Sequence, residues 1–286
     1  MKKTTQLTLA LVLLIACGRA QSPFEKYGPA QAKIYPSFFE ALKEKEKVFK
    51  LQSENENLIK DIKKIGTLEN LHALALKNNQ LDTLPKQVNS LVNLMYFKST
   101  LNPLDKLPPE IAYWNKLVEM HLFNTPLDSL PQEMMYLQAL KTLQIQNNKA
   151  DTFKLGQGCN KLVNLKSVIF YNENLYHFPK ELHNSKQLNE LVITSCKLKV
   201  IPSNINVFSK LEILVLDSNE ISVIPREFFE LSSIKYISLK NNKLTNIPES
   251  FTRMPYLEKL DLSGNNIPAD KIAILKALLP KCKITY

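Results

Sequence analysis

Cysteine and histidine are the residue types in this chain whose chemistry suits nucleophilic catalysis or metal binding. The four histidines, at positions 72, 121, 177 and 183, include no pair spaced i, i+4, the spacing that presents two imidazoles to one metal from a helix. Cys159, Cys196 and Cys282 lie far apart in the sequence, and we interpret them as buried structural thiols. The six glycines form no phosphate-binding loop. The sequence therefore predicts no catalytic centre, no metal site and no cofactor.

The N-terminal residues have the composition of an export signal. Two lysines follow Met1, and the apolar run from residue 7 to residue 16 is too short to span a bilayer. The run ends in Leu14-Ile15-Ala16-Cys17, which resembles the lipobox of bacterial lipoproteins. That resemblance implies cleavage before Cys17, acylation of its thiol and a location in the cell envelope at a membrane. The alternative is cleavage after Ala20, which would leave a soluble periplasmic or secreted protein.

Acylation of Cys17 would leave three thiols, and an odd number argues against a disulfide framework. The net charge of the chain is +10, from 37 basic and 27 acidic residues. Outside the cytoplasm, a basic surface favours anionic envelope polymers or acidic proteins as partners. The lysines are nevertheless spread through the chain, as on a solvated outer face. The sequence has no basic run interleaved with aromatic residues, so nucleic acid is not an expected partner.

A frame of 23 residues repeats through most of the chain, with one interval of 25 between residues 140 and 165. Its pattern is L-x-x-L-x-L-x-x-N-x-L-x-x-L-P-x-x-I-x-x-L. The L-x-L core alternates with a period of two, which is typical of a short strand. The following proline removes a backbone donor and turns the chain. The repeats begin at Val48, Leu71, Leu94, Leu117, Leu140, Leu165, Leu188, Leu211, Ile234 and Leu257.

One unit of this kind cannot bury its leucines alone, so the units must stack around a shared core. The pattern resembles the bacterial leucine-rich repeat of the 23-residue, L-x-x-L-P type. The resemblance implies an α/β fold, a horseshoe-shaped solenoid with a parallel β-sheet on its concave face. We predict a signal peptide at residues 1–16, a tether at 17–36 and a repeat domain at 37–286. Within that domain we expect a helical cap at 37–47, about ten repeats at 48–267 and a helical C-terminal cap at 268–286.

The asparagine of the frame is predicted to satisfy backbone groups that the turn leaves unpaired. Glu56, Thr125 and Glu173 depart from the pattern, and we expect local irregularity where they stand. The column consists of Asn79, Asn102, Asn148, Cys196, Asn219, Asn242 and Asn265.

Function must lie in the residues that the frame leaves free. In each strand the side chains that flank the two leucines point to the concave face, because successive residues alternate sides. These positions are polar in the first and last repeats and apolar near the centre, an arrangement common in protein interfaces. Strand propensity alone would also favour such residues. The predicted ligand-binding residues are Tyr96, His121, Phe123, Ile169, Tyr171, Val192, Ile213, Val215 and Tyr236.

Two classes of function fit these observations. The first is a non-catalytic interaction module of the bacterial cell envelope that binds a protein or glycan through its concave face. The second is a structural envelope protein whose basic outer face associates with anionic surface polymers. The first is preferred, and a monomer is expected.

Overall fold

The structure is a computed structural model, and it describes residues 26–147 and 151–286. Within these residues the strands form one 12-stranded parallel sheet, in which every strand lies between its neighbours in sequence. This arrangement confirms the predicted solenoid. The strands are β1 Ile34–Tyr35, β2 Lys50–Glu54, β3 Ala73–Lys77, β4 Tyr96–Thr100, β5 Glu119–Phe123, β6 Thr142–Gln146, β7 Ser167–Tyr171, β8 Glu190–Thr194, β9 Ile213–Val215, β10 Tyr236–Ser238, β11 Lys259–Asp261 and β12 Lys283–Thr285.

Short 3₁₀ segments return the chain between strands. Most of them begin directly after the proline of the repeat; Pro85, for example, has φ −75° and ψ 156°. Its fixed φ and missing N–H suit the position before a helical turn. The segments are Lys45–Lys47, Ile62–Thr67, Lys86–Ser90, Pro109–Tyr113, Gln132–Tyr136, Gln157–Lys161, Lys180–Leu182, Ser203–Val207, Arg226–Glu230 and Glu249–Arg253.

The leucines of the frame fill one continuous core between the sheet and the 3₁₀ segments. It extends from Tyr35 to Leu275, and in its middle Trp114 packs on Phe97 with ring centroids 4.9 Å apart. The indole of Trp114 donates to the backbone oxygen of Val88 at 2.9 Å. A core shared by all repeats means that each repeat depends on its neighbours for stability.

The asparagine column links adjacent repeats. Asn219 Oδ1 accepts from the backbone N–H groups of Cys196 and Leu198, at 3.0 and 3.1 Å. Its Nδ2 donates to the carbonyl oxygens of Ile193 and Leu216, at 2.7 and 2.9 Å. Asn242 and other members of the column repeat these contacts, whereas Asn148 lies outside the described residues.

A second column precedes the asparagines and was not predicted from the sequence. The residue before each column position has a positive φ, between 50° and 71°. Asparagine and glycine adopt this left-handed conformation more readily than most residues, which explains the frequent Asn-Asn pairs of the repeat. These residues are Asn55, Asn78, Leu101, Asn124, Asn147, Asn172, Ser195, Ser218, Asn241 and Gly264.

The repeat with the 25-residue interval keeps the sheet register but opens its outer side. The pairing of β5, β6 and β7 continues without a break. On the outer side, between the loops at 152–157 and 174–181, lies a cleft of about 860 Å³ that Phe153, Leu175 and Phe178 help to line. Gly156 replaces the usual proline because a Cβ there would lie 2.0 Å from the oxygen of Leu130. The longer interval therefore leaves the strand pairing unchanged.

The N-terminal cap differs from the predicted helix at residues 37–47. Helix α1 spans only Phe38–Ala41, with Ser37 as its N-cap. Glu56, which departs from the asparagine column, accepts hydrogen bonds from the Ser37 hydroxyl and the Phe38 N–H, at 2.6 and 2.8 Å. The carboxylate thus ties the cap to the first repeat, which accounts for its place in the frame.

The C-terminal cap consists of helix α2, Ala269–Leu278, and strand β12. Ile272 and Leu275 are buried against the last repeat. Strand β12 pairs with β11 and ends the sheet.

The predicted tether at residues 17–36 is wrong for the part that the structure describes. Residues 34 and 35 form β1, which pairs with β2 at the edge of the sheet. Residues 26–33, which we call the strap, cross the concave face before this strand. The strap is held there by contacts with Glu119, more than 90 positions away in the sequence. The composition of the segment itself does not indicate such long-range contacts, so the sequence analysis predicted a tether.

Candidate ligand-binding face

The concave face, the side of the sheet opposite the leucine core, carries three columns of side chains. The first, third and fifth residues of each strand point to it. The register of the sheet places Phe123, Gln146 and Tyr171 side by side in the third column. Phe123 and Tyr171 are partly exposed.

The strap covers the first column over β3 to β5. Tyr27 is only 4% exposed and stacks on Tyr96, with ring centroids 6.0 Å apart. Ala73 and Ala75 complete this small cluster. Tyr96 is 3% exposed as a result, so the strap covers it, and its contact with a ligand stays a prediction.

One carboxylate holds the strap in place. Glu119 Oε1 accepts from Lys26 Nζ at 2.5 Å and from the Tyr27 hydroxyl at 2.8 Å, while its Oε2 lies 3.3 Å from His121 Nε2. Burial tends to raise the pKa of Glu119, but the contact with His121 and the hydrogen bonds from Lys26 and Tyr27 outweigh it and lower the pKa to about 2. Burial also lowers the pKa of His121, which favours its neutral form at pH 7.

A second group of predicted residues is buried without help from the strap. Ile169, Val192 and Val215 lie in adjacent strands of the second column and are 3%, 1% and 2% exposed. Ile213 and Tyr236 pack against them and remain partly exposed. Neighbouring concave side chains cover the three aliphatic residues, so they are not part of the exposed surface, and their contact with a ligand stays a prediction.

The remaining predicted residues form what we call the open surface. They are His121, Phe123, Tyr171, Ile213 and Tyr236, and all are partly exposed on the concave face. Lys98 lies beside this surface, with Nζ 5.0 Å from the centre of the Phe123 ring. The open surface therefore combines aromatic rings with a cationic side chain, and its ligand contacts stay a prediction.

Asp217 continues the third column beyond β9 and was missed by the sequence analysis. It is 5% exposed, and its Oδ1 accepts from the Ser238 hydroxyl and, at 3.0 Å, from the Lys240 N–H. Burial raises its pKa to about 6. A single carboxyl group beside the leucines of one repeat does not recur in the other repeats. Its burial therefore could not be predicted from the sequence pattern and is seen only in the packing of the structure.

The raised pKa of Asp217 makes stability depend on pH. A folded-state pKa above the unfolded value of 3.8 means that the stabilising proton is lost as pH rises through about 6. Asp217→Asn keeps the accepting oxygen and removes the charge, so we expect it to stabilise the fold by about 1–3 kcal/mol at pH 7.5 and little at pH 4. Thermal unfolding of both proteins at these two pH values measures the difference. A gain of equal size at both values would contradict the assignment.

The three cysteine thiols in the described residues are unsuited to nucleophilic attack. Burial raises the pKa of Cys159 to about 12 and that of Cys282 to about 11, and it also raises that of Cys196. Each thiol is therefore protonated at pH 7, and the thiolate is the reactive form.

Comparisons with known proteins agree with this architecture. Residues 209–267 match the family model of the leucine-rich repeat. An internalin from Listeria monocytogenes is similar in structure, with a TM-score of 0.73 and 21% sequence identity, over 90% of this chain and 74% of the internalin chain. The fold is a leucine-rich repeat solenoid.

Two further leucine-rich repeat structures are similar at greater distance. The plant peptide hormone receptor RGFR1, in complex with RGF2, gives a TM-score of 0.59 and 25% identity, over 76% of this chain and 39% of the receptor chain. The leucine-rich repeat domain of the type III effector XopL gives 0.60 and 24%, over 79% of each chain. No curated protein sequence matches this chain.

Proposed function

We propose that this leucine-rich repeat protein is a non-catalytic interaction module of the bacterial cell envelope that binds another protein through the open surface. The observation that carries the proposal is the partial exposure of Phe123, Tyr171 and Tyr236 on a face where Tyr96, Ile169, Val192 and Val215 are buried. Large aromatic side chains in the centre of an interface contribute most to binding. A protein is favoured over a glycan because the open surface also includes aliphatic Ile213. The receptor RGFR1, which shares the fold, has been solved in complex with RGF2, and this also supports a binding role.

The proposed location follows from the sequence of the first 17 residues, which lie outside the described part of the chain. Cleavage before Cys17 and acylation of its thiol would hold the protein at a membrane. A single acyl chain binds a membrane only marginally, whereas two or three hold it firmly. Among the described residues, none of the helices has the length and apolar character needed to cross a bilayer.

Cys17→Ser is expected to release the protein from the membrane fraction or to stall its processing, because serine lacks the thiol that receives the lipid. Fractionation of bacteria that express the parent and variant chains measures the location. Mass spectrometry of the parent then identifies the mature N-terminus. An unmodified mature chain that begins at Gln21 would contradict the lipid anchor and leave the binding proposal untouched.

The binding proposal is tested by a photo-crosslinking residue placed in the open surface. Gln146 lies between Phe123 and Tyr171 in the third column and is partly exposed. We expect a crosslinker at this position to capture a discrete protein in the envelope. The matched control is Lys86, which is exposed on the outer side of the solenoid. Equal capture of the same protein from both positions would contradict binding at the concave face.

A further inference from the structure

A row of lysines follows the edge of the sheet at which strands β5 to β9 begin. Each lies within two residues of the leucine that opens a repeat, and each is exposed. Acidic residues also occur at this edge, but each has a partner outside the row: Glu119 pairs with Lys26, Glu190 accepts from the Ser167 hydroxyl and Glu212 pairs with Lys235. We call this row the lysine edge; it consists of Lys116, Lys141, Lys166, Lys186 and Lys210.

None of the five lysines forms an ion pair within the described residues. Lys116 donates to the neutral Asn93 at 2.8 Å, and Lys210 donates to the neutral Gln187 at 2.6 Å. The opposite edge, where the strands end, carries acidic residues that alternate with its lysines. Examples are Asp82, Asp105, Asp128 and the ion pair between Glu220 and Lys243.

Exposed apolar side chains accompany the lysines. Tyr113 and Tyr136 end the 3₁₀ segments that lead into β5 and β6, and they are 55% and 53% exposed. Val163 is also exposed, two residues before the leucine that opens its repeat. Tyrosine and lysine side chains together suit the boundary between water and lipid, where an apolar stem and a polar tip are both satisfied.

A shallow groove between two of the lysines has the size of a small anionic group. It encloses about 250 Å³ and is lined by Lys141, Lys166, Gln138, Asn164 and Gln187, together with Val118 and Ala139. The ammonium groups of Lys141 and Lys166 and the amide of Gln187 provide donors for phosphate oxygens, and lysine binds phosphate as a point charge. The amide of Gln138 already donates to the backbone oxygens of Met135 and Lys161.

The strap brings the N-terminal part of the chain to the same edge. Lys26 contacts Glu119, the first residue of β5, while Lys141 and Lys166 precede the next two strands. The spacing of strands places these two lysines roughly 5 and 10 Å along the sheet from β5. Nine peptide units separate Cys17 from Lys26, so a lipid on Cys17 lies within about 30 Å of this point even in a fully extended chain.

We infer that the lysine edge docks on the anionic phospholipid headgroups of the membrane to which the chain is anchored. This inference rests on the proposed lipid anchor. The anchor brings the edge to the bilayer, and the lysines then orient the solenoid with its strand-start edge toward the lipid. Each lysine near an anionic membrane surface increases the partition coefficient of a protein onto that membrane about fivefold.

The test uses vesicles and a chain that carries no lipid. The protein begins at residue 17 with Cys17→Ser, because the core, the caps and the strap all lie within residues 26–286. In a flotation assay, we expect the protein to float with vesicles of phosphatidylglycerol and phosphatidylcholine. We expect it not to float with vesicles of phosphatidylcholine alone. Binding should weaken as salt is raised, since exposed charges are screened.

A charge-reversal variant and a matched control locate the surface. Lys141→Glu, Lys166→Glu and Lys186→Glu together should reduce partitioning on the order of a hundredfold or more. Lys86→Glu, Lys106→Glu and Lys199→Glu change the net charge equally, and these exposed positions lie away from the lysine edge. This control should lose less than tenfold. Circular dichroism checks that both variants fold. If the variant with glutamate at positions 141, 166 and 186 does not fold, a variant with glutamine at the same three positions replaces it.

Three results would overturn the inference. They are absence of binding to phosphatidylglycerol vesicles, equal losses in the two triple variants, and binding to soluble polyphosphate as strong as that to vesicles. The vesicle assay uses an unacylated chain, so a negative result there does not bear on the lipid anchor. Mass spectrometry of the mature N-terminus tests the anchor separately.

Discussion

Asn219→Ala is expected to lower the free energy of unfolding by roughly 2–4 kcal/mol. The amide of Asn219 satisfies the N–H groups of Cys196 and Leu198 and carbonyl oxygens in two repeats. Alanine would leave the two N–H groups without this acceptor, whereas the Leu216 oxygen keeps a hydrogen bond from Asn242. An unsatisfied buried group costs roughly 1–3 kcal/mol. The side chain is 7% exposed, so water replaces few of these contacts. Urea denaturation followed by circular dichroism measures the loss.

Thr125→Ala is the matched control for this substitution. Thr125 occupies the same column and is 1% exposed, but its hydroxyl has no hydrogen-bond partner within the described residues. Its loss should therefore cost about 1 kcal/mol or less, because no bonded backbone group is released. Equal losses for the two variants would mean that the amide does not stabilise the turns through its hydrogen bonds.

Tyr171→Ala is expected to weaken binding of the protein captured at the open surface by about 2 kcal/mol or more. Tyr171 lies near the middle of the sheet, in the same column as Phe123, and central aromatic residues are typical anchors of an interface. Folding should change little, since the ring points away from the leucine core. Isothermal titration with the purified partner measures the affinity, and thermal unfolding of the variant checks its stability.

Lys259→Ala provides the control at the end of the sheet. Lys259 begins β11 and is exposed on the same face. An exposed charge contributes well under 1 kcal/mol in most cases, so its removal should barely change the affinity. A larger effect at Lys259 than at Tyr171 would move the binding site toward the C-terminal cap.

The repeat frame predicted the fold because it is a local pattern that recurs. A strand, a turn and a proline-led 3₁₀ segment are each encoded within 23 residues, and stacking follows from the need to bury the leucines. The frame also predicted which side chains reach the concave face, as the alignment of Phe123 with Tyr171 shows.

The frame could not predict which of these side chains stay exposed. Tyr96 is buried because Tyr27 packs on it from a segment 69 positions earlier, outside the repeats. Val192 is buried because its neighbours on both sides, Ile169 and Val215, are large enough to close over it. Both outcomes depend on contacts between different repeats or segments, and a periodic pattern carries no information about them. The strap itself has one sequence signal, an isolated aromatic residue in a polar segment.

The central claim is that the open surface binds a protein, and a titration with a triple variant tests it most directly. The parent chain and a Phe123→Ala, Tyr171→Ala, Tyr236→Ala variant are titrated with the partner captured at Gln146, at two salt concentrations. We predict a loss of affinity of at least a hundredfold at both concentrations, because apolar contacts are not screened by salt. Full affinity in a variant that still folds would contradict the claim and place the binding site elsewhere on the solenoid.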